Sequence, residues 1–151
     1  MTNQETIERV DTLRVCTCHL GTTLCALDTA GVQEVIRIEQ PTRIHGAPPY
    51  VVGIINLRGR IVTVIDIGVR MGIGVLTLTE DSRVFILEHE GESVGLLVDR
   101  VLDIVEIARE QISPPPPNLK GMHAKFVSGV FRTEETLVAI LNTEQLLAGD
   151  R

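Results

Sequence analysis

Residue types that do chemistry are few in this chain, and their spacing matters more than their number. Cys16, Cys18, His19 and Cys25 invite a zinc reading. Cys-x-Cys-His fits tetrahedral structural zinc poorly, because such sites favour Cys-x2–4-Cys knuckles. Cys16 and Cys18 fall on one face of a strand, as core residues would. Gly68, Gly72 and Gly74 lack the Gly-Lys-Ser/Thr ending that lets a loop cradle phosphate. His19, His45, His89 and His123 are scattered, and no serine or cysteine stands in a recognised nucleophile motif. Neither a catalytic group, a metal nor a cofactor is expected. What remains is recognition chemistry. Arg58 stands at a turn between two apolar runs, where a guanidinium can present a bidentate fork to a carboxylate or a pair of carbonyls. Glu34, on an amphipathic segment, reads equally as a partner for a basic group and as a solvated charge.

The elements that must position these residues read as strands. Val51–Asn56 and Ile61–Ile67 flank Leu57-Arg58-Gly59-Arg60, a strong hairpin signal in which Asn56 and Gly59 shape the turn. Leu13–Leu20 and Leu24–Leu27 form another hairpin around Gly21-Thr22-Thr23. Thr29–Val32 reads as a helical turn followed by a strand that carries Glu34 and Val35. Val84–Glu88 and Val94–Val98 flank Glu90-Gly91-Glu92, and Asp99–Ile107 continues the alternation. Phe126–Phe131 and Leu137–Leu141 make a last hairpin, and Thr143–Leu147 a closing helix with Thr143 as its cap. Gly68–Asp81 reads as loop, and the four prolines of Ser113–Asn118 as a stiff extended connector. Residues 1–12 read as a polar leader.

Composition narrows the function classes. The chain has 151 residues, 44% hydrophobic but only 3% aromatic, so Val, Ile and Leu must build the core. Those residues favour strands. The formal charge of −6 repels phosphate backbones and argues against nucleic acid. The longest apolar runs fall short of a membrane span, and the N-terminus lacks a signal peptide's basic start and apolar stretch. A cytoplasmic protein without direct membrane insertion is expected. Three cysteines, an odd number, do not make a disulfide framework.

The chain also resembles itself. Val15–Ile38 and Val84–Ile107 share the order strand, turn, strand, Asp, then Val-x-acid-apolar. Val51–Ile67 with Gly53 parallels Phe126–Asn142 with Gly129. The period of roughly 70–76 residues is long for a solenoid. It implies a duplicated β-subdomain, each copy too small to bury much alone. The expected fold is mainly all-β: two five-stranded barrels on a shared apolar seam, with short helices. The expected division of residues 13–148 is near 13–75 and 80–148, with the chain crossing at the ends.

The run Val52-Gly53-Ile54-Ile55-Asn56-Leu57-Arg58-Gly59-Arg60-Ile61-Val62-Thr63-Val64-Ile65-Asp66 closely resembles the signature of CheW-type chemotaxis coupling proteins. Gly31–Val35, Val94–Val101 and Leu137–Asn142 resemble further segments of that family, so the likeness covers about residues 13–148. Thr63 departs from the pattern, standing where proline is usual, and Cys18 and Cys25 stand where aromatics are expected. The resemblance implies two SH3-like barrels and an adaptor without catalytic activity. It implies two partners: the regulatory domain of a histidine kinase and the cytoplasmic hairpin tip of a chemoreceptor. Arg58, Glu34, Asn56 and Gly59 would lie at or near a partner surface. Of the apolar residues Val35, Val84, Phe85, Val98 and Ile104, most would be core and some would line a groove between the barrels. A related adaptor in a non-chemotactic kinase pathway, and a small β-barrel module for a ligand or nucleic acid, are the alternatives.

Overall fold

The computed structural model describes residues 11–117, 119 and 122–148. The strands are β1 (Thr12–Leu20), β2 (Thr23–Asp28), β3 (Val32–Ile36), β4 (Val51–Leu57), β5 (Arg60–Asp66), β6 (Arg83–His89), β7 (Glu92–Val98), β8 (Arg100–Ala108), β9 (Val127–Thr133) and β10 (Thr136–Leu141). Short helices α1 (Ile67–Met71) and α2 (Thr143–Leu147) follow β5 and β10. Residues 1–10 of the expected leader lie outside the described residues, and Thr12 already belongs to β1.

The strands form two five-stranded sheets, ordered β8-β1-β2-β10-β9 and β3-β6-β7-β5-β4. Moving every strand of the second order five places along the chain yields the first. The duplication is therefore a property of the fold, down to the one parallel pair in each sheet, β2 with β10 and β5 with β7. The sheets do not follow the expected division near residues 75–80. Each lobe takes two strands from one half of the chain and three from the other, because the chain changes sheets after β2 and after β7. Asp28 starts the first crossing by accepting a 2.9 Å bond from the Ala30 amide, which caps a 3-10 turn at Thr29–Gly31. Asp99 marks the second and is tied back to the first hairpin by the Gly21 amide at 2.6 Å.

Central strands are buried on both faces, so they read as nearly continuous apolar runs rather than clean alternations. One cluster spans the seam, from Cys18, Leu20 and Leu27 of one sheet to Val62, Phe85 and Leu96 of the other. A smaller cluster of Val15, Ala26, Phe131, Val138 and Ile140 fills the first lobe. Each fully buried Leu, Ile or Phe contributes about 1.5–3 kcal/mol relative to exposure.

Each sheet is drawn toward a barrel by one bridge rather than a closed ladder. Chain beyond β3 returns so that Thr42 and Ile54 of β4 exchange two 2.8 Å backbone bonds. Chain beyond β8 does the same with Ser113 and Val130 of β9, at 2.9 and 2.8 Å. The close approach explains Gly53, where a Cβ would sit 2.4 Å from the Thr42 carbonyl oxygen. At the equivalent Gly129 it would meet Ile112 Cγ2 at 2.7 Å.

Two local expectations change. Ile67–Met71 is helix, where Ile67 was expected to end a strand and Gly68 to begin a loop; Asp66 starts it, its carboxylate accepting from the Val69 amide at 3.1 Å. The cap of α2 is Asn142 rather than Thr143, accepting from the Gln145 amide at 3.1 Å. Asp66 and Asn142 are equivalent in the repeat, so one capping device ends both hairpins.

Candidate partner-binding surface

The β4–β5 turn is two residues long, with Leu57 paired to Arg60 and positive φ at Arg58 (51°) and Gly59 (86°). Two successive left-handed residues match the right-handed twist of the strands. Asn56 Oδ1 accepts from the Gly59 amide at 2.9 Å, so Asn56 and Gly59 build the turn. Arg58 holds a conformation that an L-residue adopts at some expense, about 1 kcal/mol. Glu90 (54°) and Glu134 (53°) do the same in two other hairpins, so backbone conformation alone does not single Arg58 out.

The ion pair does. Arg58 Nη2 donates to Glu34 Oε2. Glu34 lies on β3, one edge of the sheet, and Arg58 on the tip beside β4, the other edge. The pair therefore spans the gap between two edges that no strand ladder joins. An exposed pair contributes at most about 1 kcal/mol to stability. Its consequence is geometric: Glu34 holds the guanidinium while the Arg58 side chain stays 65% exposed. An open groove of about 830 Å³ runs between the chain after β3 and strand β4, with a mixed lining that includes Ile36, Arg37, Glu39, Ile54, Asn56 and Ile61.

The apolar candidates separate by burial. Val84, Phe85 and Val98 are fully buried and cannot touch a partner without unfolding. They are core residues, because β6 and β7 lie inside their sheet with both faces covered. Val35 on β3 is 43% exposed and Ile104 on β8 is 65% exposed. These two are equivalent in the repeat, each on an edge strand. The sequence reading missed a second equivalent pair, Ile61 (59%) and Leu137 (42%), each the second residue past its hairpin turn. The internal repeat carried that signal, since both positions follow the turn in corresponding hairpins. Exposed apolar side chains thus stand at matching places in both lobes.

The thiols do not belong to this surface. Cys18 and Cys25 face each other across β1 and β2, both fully buried. Burial pushes the Cys25 thiol up to about 12 and that of Cys18 well up too. Cys16 is raised by burial and then by the Asp103 carboxylate. Such thiols are protonated and unreactive, and they act as small core groups in place of the expected aromatics. Among the described residues no group of three or more His, Cys, Asp or Glu is placed to hold a metal. Among them, too, no helix is long and apolar enough to cross a membrane.

The protein is thus a duplicated pair of five-stranded sheets with equivalent exposed apolar positions and a braced arginine at one tip. The family model described as the CheW-like domain matches residues 14–151, and the chain belongs to that family. It is similar to the scaffolding protein TtCheW from Thermoanaerobacter tengcongensis, with a TM-score of 0.82 and 36% identity over 89% of this chain and 86% of that one. It is 30% identical to the chemotaxis protein CheW of Klebsiella aerogenes, over 87% of this chain and 79% of that protein. It is 28% identical to the chemotaxis protein CheW of Treponema pallidum, over 89% and 82%.

Proposed function

We propose that this protein is a non-catalytic coupling scaffold of chemotaxis that holds a histidine kinase's regulatory domain and a chemoreceptor's cytoplasmic hairpin tip at once. Membership of the CheW-like family over nearly the whole chain carries this reading. The names of the relatives favour chemotaxis over another kinase pathway. The charge of −6 speaks against the nucleic-acid alternative.

The mechanism is geometric. A scaffold engaged with one partner presents its second surface at high effective concentration to the other. Arg58, braced by Glu34, supplies a directed fork to one partner. Val35 and Ile104 offer apolar contact at the two sheet edges. The scaffold is recruited to receptor arrays at the inner face of the membrane through its partners.

Calorimetric titration into the regulatory domain of a histidine kinase from the same genome tests this, with Arg58→Ala and Arg58→Lys alongside. Binding at about micromolar or tighter, weakened by Arg58→Ala with the fold intact, is the expected result. Binding indifferent to Arg58 moves that residue to the receptor side. Absence of binding to any such domain sinks the coupling reading.

A further inference from the structure

Tyr50 and Phe126 are equivalent in the repeat: each precedes the first strand of one of two corresponding hairpins, β4–β5 and β9–β10. Each carbonyl accepts a 2.7 Å bond from the residue that ends that hairpin, Asp66 or Asn142. Between the two rings lies one guanidinium. Arg70 Cζ is 5.0 Å from the Tyr50 ring centroid and 4.9 Å from that of Phe126. Arg70 belongs to α1, and its equivalent in α2 is Leu146, which is fully buried. Arg70 Nε donates to the Leu146 carbonyl at 3.0 Å and Nη2 to that of Gln145 at 3.2 Å. It thus caps the Leu146 carbonyl and shares the Gln145 carbonyl with the Ala148 amide, at the last turn of α2. One side chain reaches from the helix of one lobe to the ring and the helix of the other.

We propose that Arg70 is a positioning residue that sets the angle between the two lobes, and that this angle transmits signal between partners bound to different lobes. The seam beneath it is apolar, and apolar burial is non-directional, so it orients the lobes less sharply than a directional contact does. A planar guanidinium stacked between two rings and forked onto two carbonyls is directional. Lysine keeps the charge but loses both the plane and the fork. The symmetry of the duplicated fold is broken here, by an arginine against a buried leucine, so the contact has only one way to form.

The test has two arms, and only the second rests on the scaffold reading. In the first, backbone amide residual dipolar couplings of the protein alone are fitted to one alignment tensor for both sheets. Wild type is expected to fit one tensor. In Arg70→Met and Arg70→Lys each sheet is expected to fit alone but not jointly. A joint fit as good as wild type's in these variants overturns the proposal. Should Arg70→Met not fold, Arg70→Lys and Tyr50→Leu decide by the same couplings. In the second arm, receptor-dependent kinase activity is titrated with scaffold. Maximal activation is expected to fall about five-fold or more in Arg70→Met, while the half-saturating concentration moves less than about two-fold. Full activation despite a changed lobe angle overturns the signalling half. A wild type that binds neither partner refutes the scaffold reading and leaves the lobe-angle result standing.

Discussion

The two lobes share a plan and differ at the tips of two equivalent hairpins, β4–β5 and β9–β10. In one, the tip is Arg58-Gly59, the guanidinium is held by Glu34, and Arg60 Nη1 bonds Ser93 Oγ at 2.9 Å. In the other, the tip is Glu134-Glu135, with Glu134 in the same left-handed conformation. The acidic residue corresponding to Glu34 is Asp103, whose backbone, not its carboxylate, is tied to Thr17 Oγ1. Backbone architecture was thus kept between the copies while surface chemistry diverged. A duplicated scaffold needs one fold but two distinct faces, and side chains beyond the seam are free to supply them.

The largest test of this comparison is to cut the copies apart. Residues 1–80 and 81–151 each hold five strands, yet neither holds the partners its strands need. Each half alone is expected to be unfolded by circular dichroism, and mixing them should restore a folded complex. Were the sheets to follow the halves, each would fold alone.

Next come the glycines beneath the two bridges. At Gly53 a Cβ would strike the Thr42 carbonyl, which is backbone, and φ is +154°. At Gly129 the nearest atom is a side-chain methyl, Ile112 Cγ2 at 2.7 Å, the Ser113 carbonyl oxygen stands farther off at 3.1 Å, and φ is not left-handed. Gly53→Ala is expected to cost about 3 kcal/mol and Gly129→Ala about 1 kcal/mol in urea unfolding. Equal losses would mean that the two bridges are mechanically alike.

The tips come third. Arg58→Ala and Glu134→Ala should each change stability by less than about 1 kcal/mol, because both side chains are exposed. On the scaffold reading Arg58→Ala weakens kinase-domain binding about tenfold, equal to about 1.4 kcal/mol, and Glu134→Ala leaves it unchanged. A common loss in both variants would erase the distinction between the faces.

Much of this was legible in the sequence, for identifiable reasons. Asn56-Leu57-Arg58-Gly59 announces its turn because a left-handed pair demands such residues, and the repeat announces two lobes. The repeat led us to expect that the chain crosses at its ends, but not which strands exchange, since parallel pairing of β2 with β10 leaves no local pattern. Helix α1 escaped because five residues with a glycine among them show no period. Val84, Phe85 and Val98 could not be told from Val35 and Ile104, because apolar residues on central and edge strands look alike until the order of strands is known. Arg70 gave no signal at all: its meaning lies in rings contributed by distant segments.

The smallest expected effect concerns the caps that end both hairpins. Asn142 has no charge to lose. Asp66 is buried, and burial raises its carboxyl above the ordinary range against the pull of amide bonds from Leu76, Val69 and Gly68. A folded state that holds its proton more tightly than the unfolded chain loses stability as pH rises from the ordinary carboxylate range through the raised value. Above that value the loss is complete and the curve is flat. Asp66→Asn makes the two caps alike and should remove this slope. The variant keeps the bond from the Val69 amide but gives up an acceptor for the Leu76 amide, bonded at 3.0 Å in wild type. It should therefore be less stable than wild type by about 1 kcal/mol in acid, with the gap narrowing toward neutral pH. Urea unfolding of both proteins between pH 4 and 7 measures the gap directly. A gap that widens with pH would mean that the ionised carboxylate is the better cap, with its amide bonds outweighing its burial.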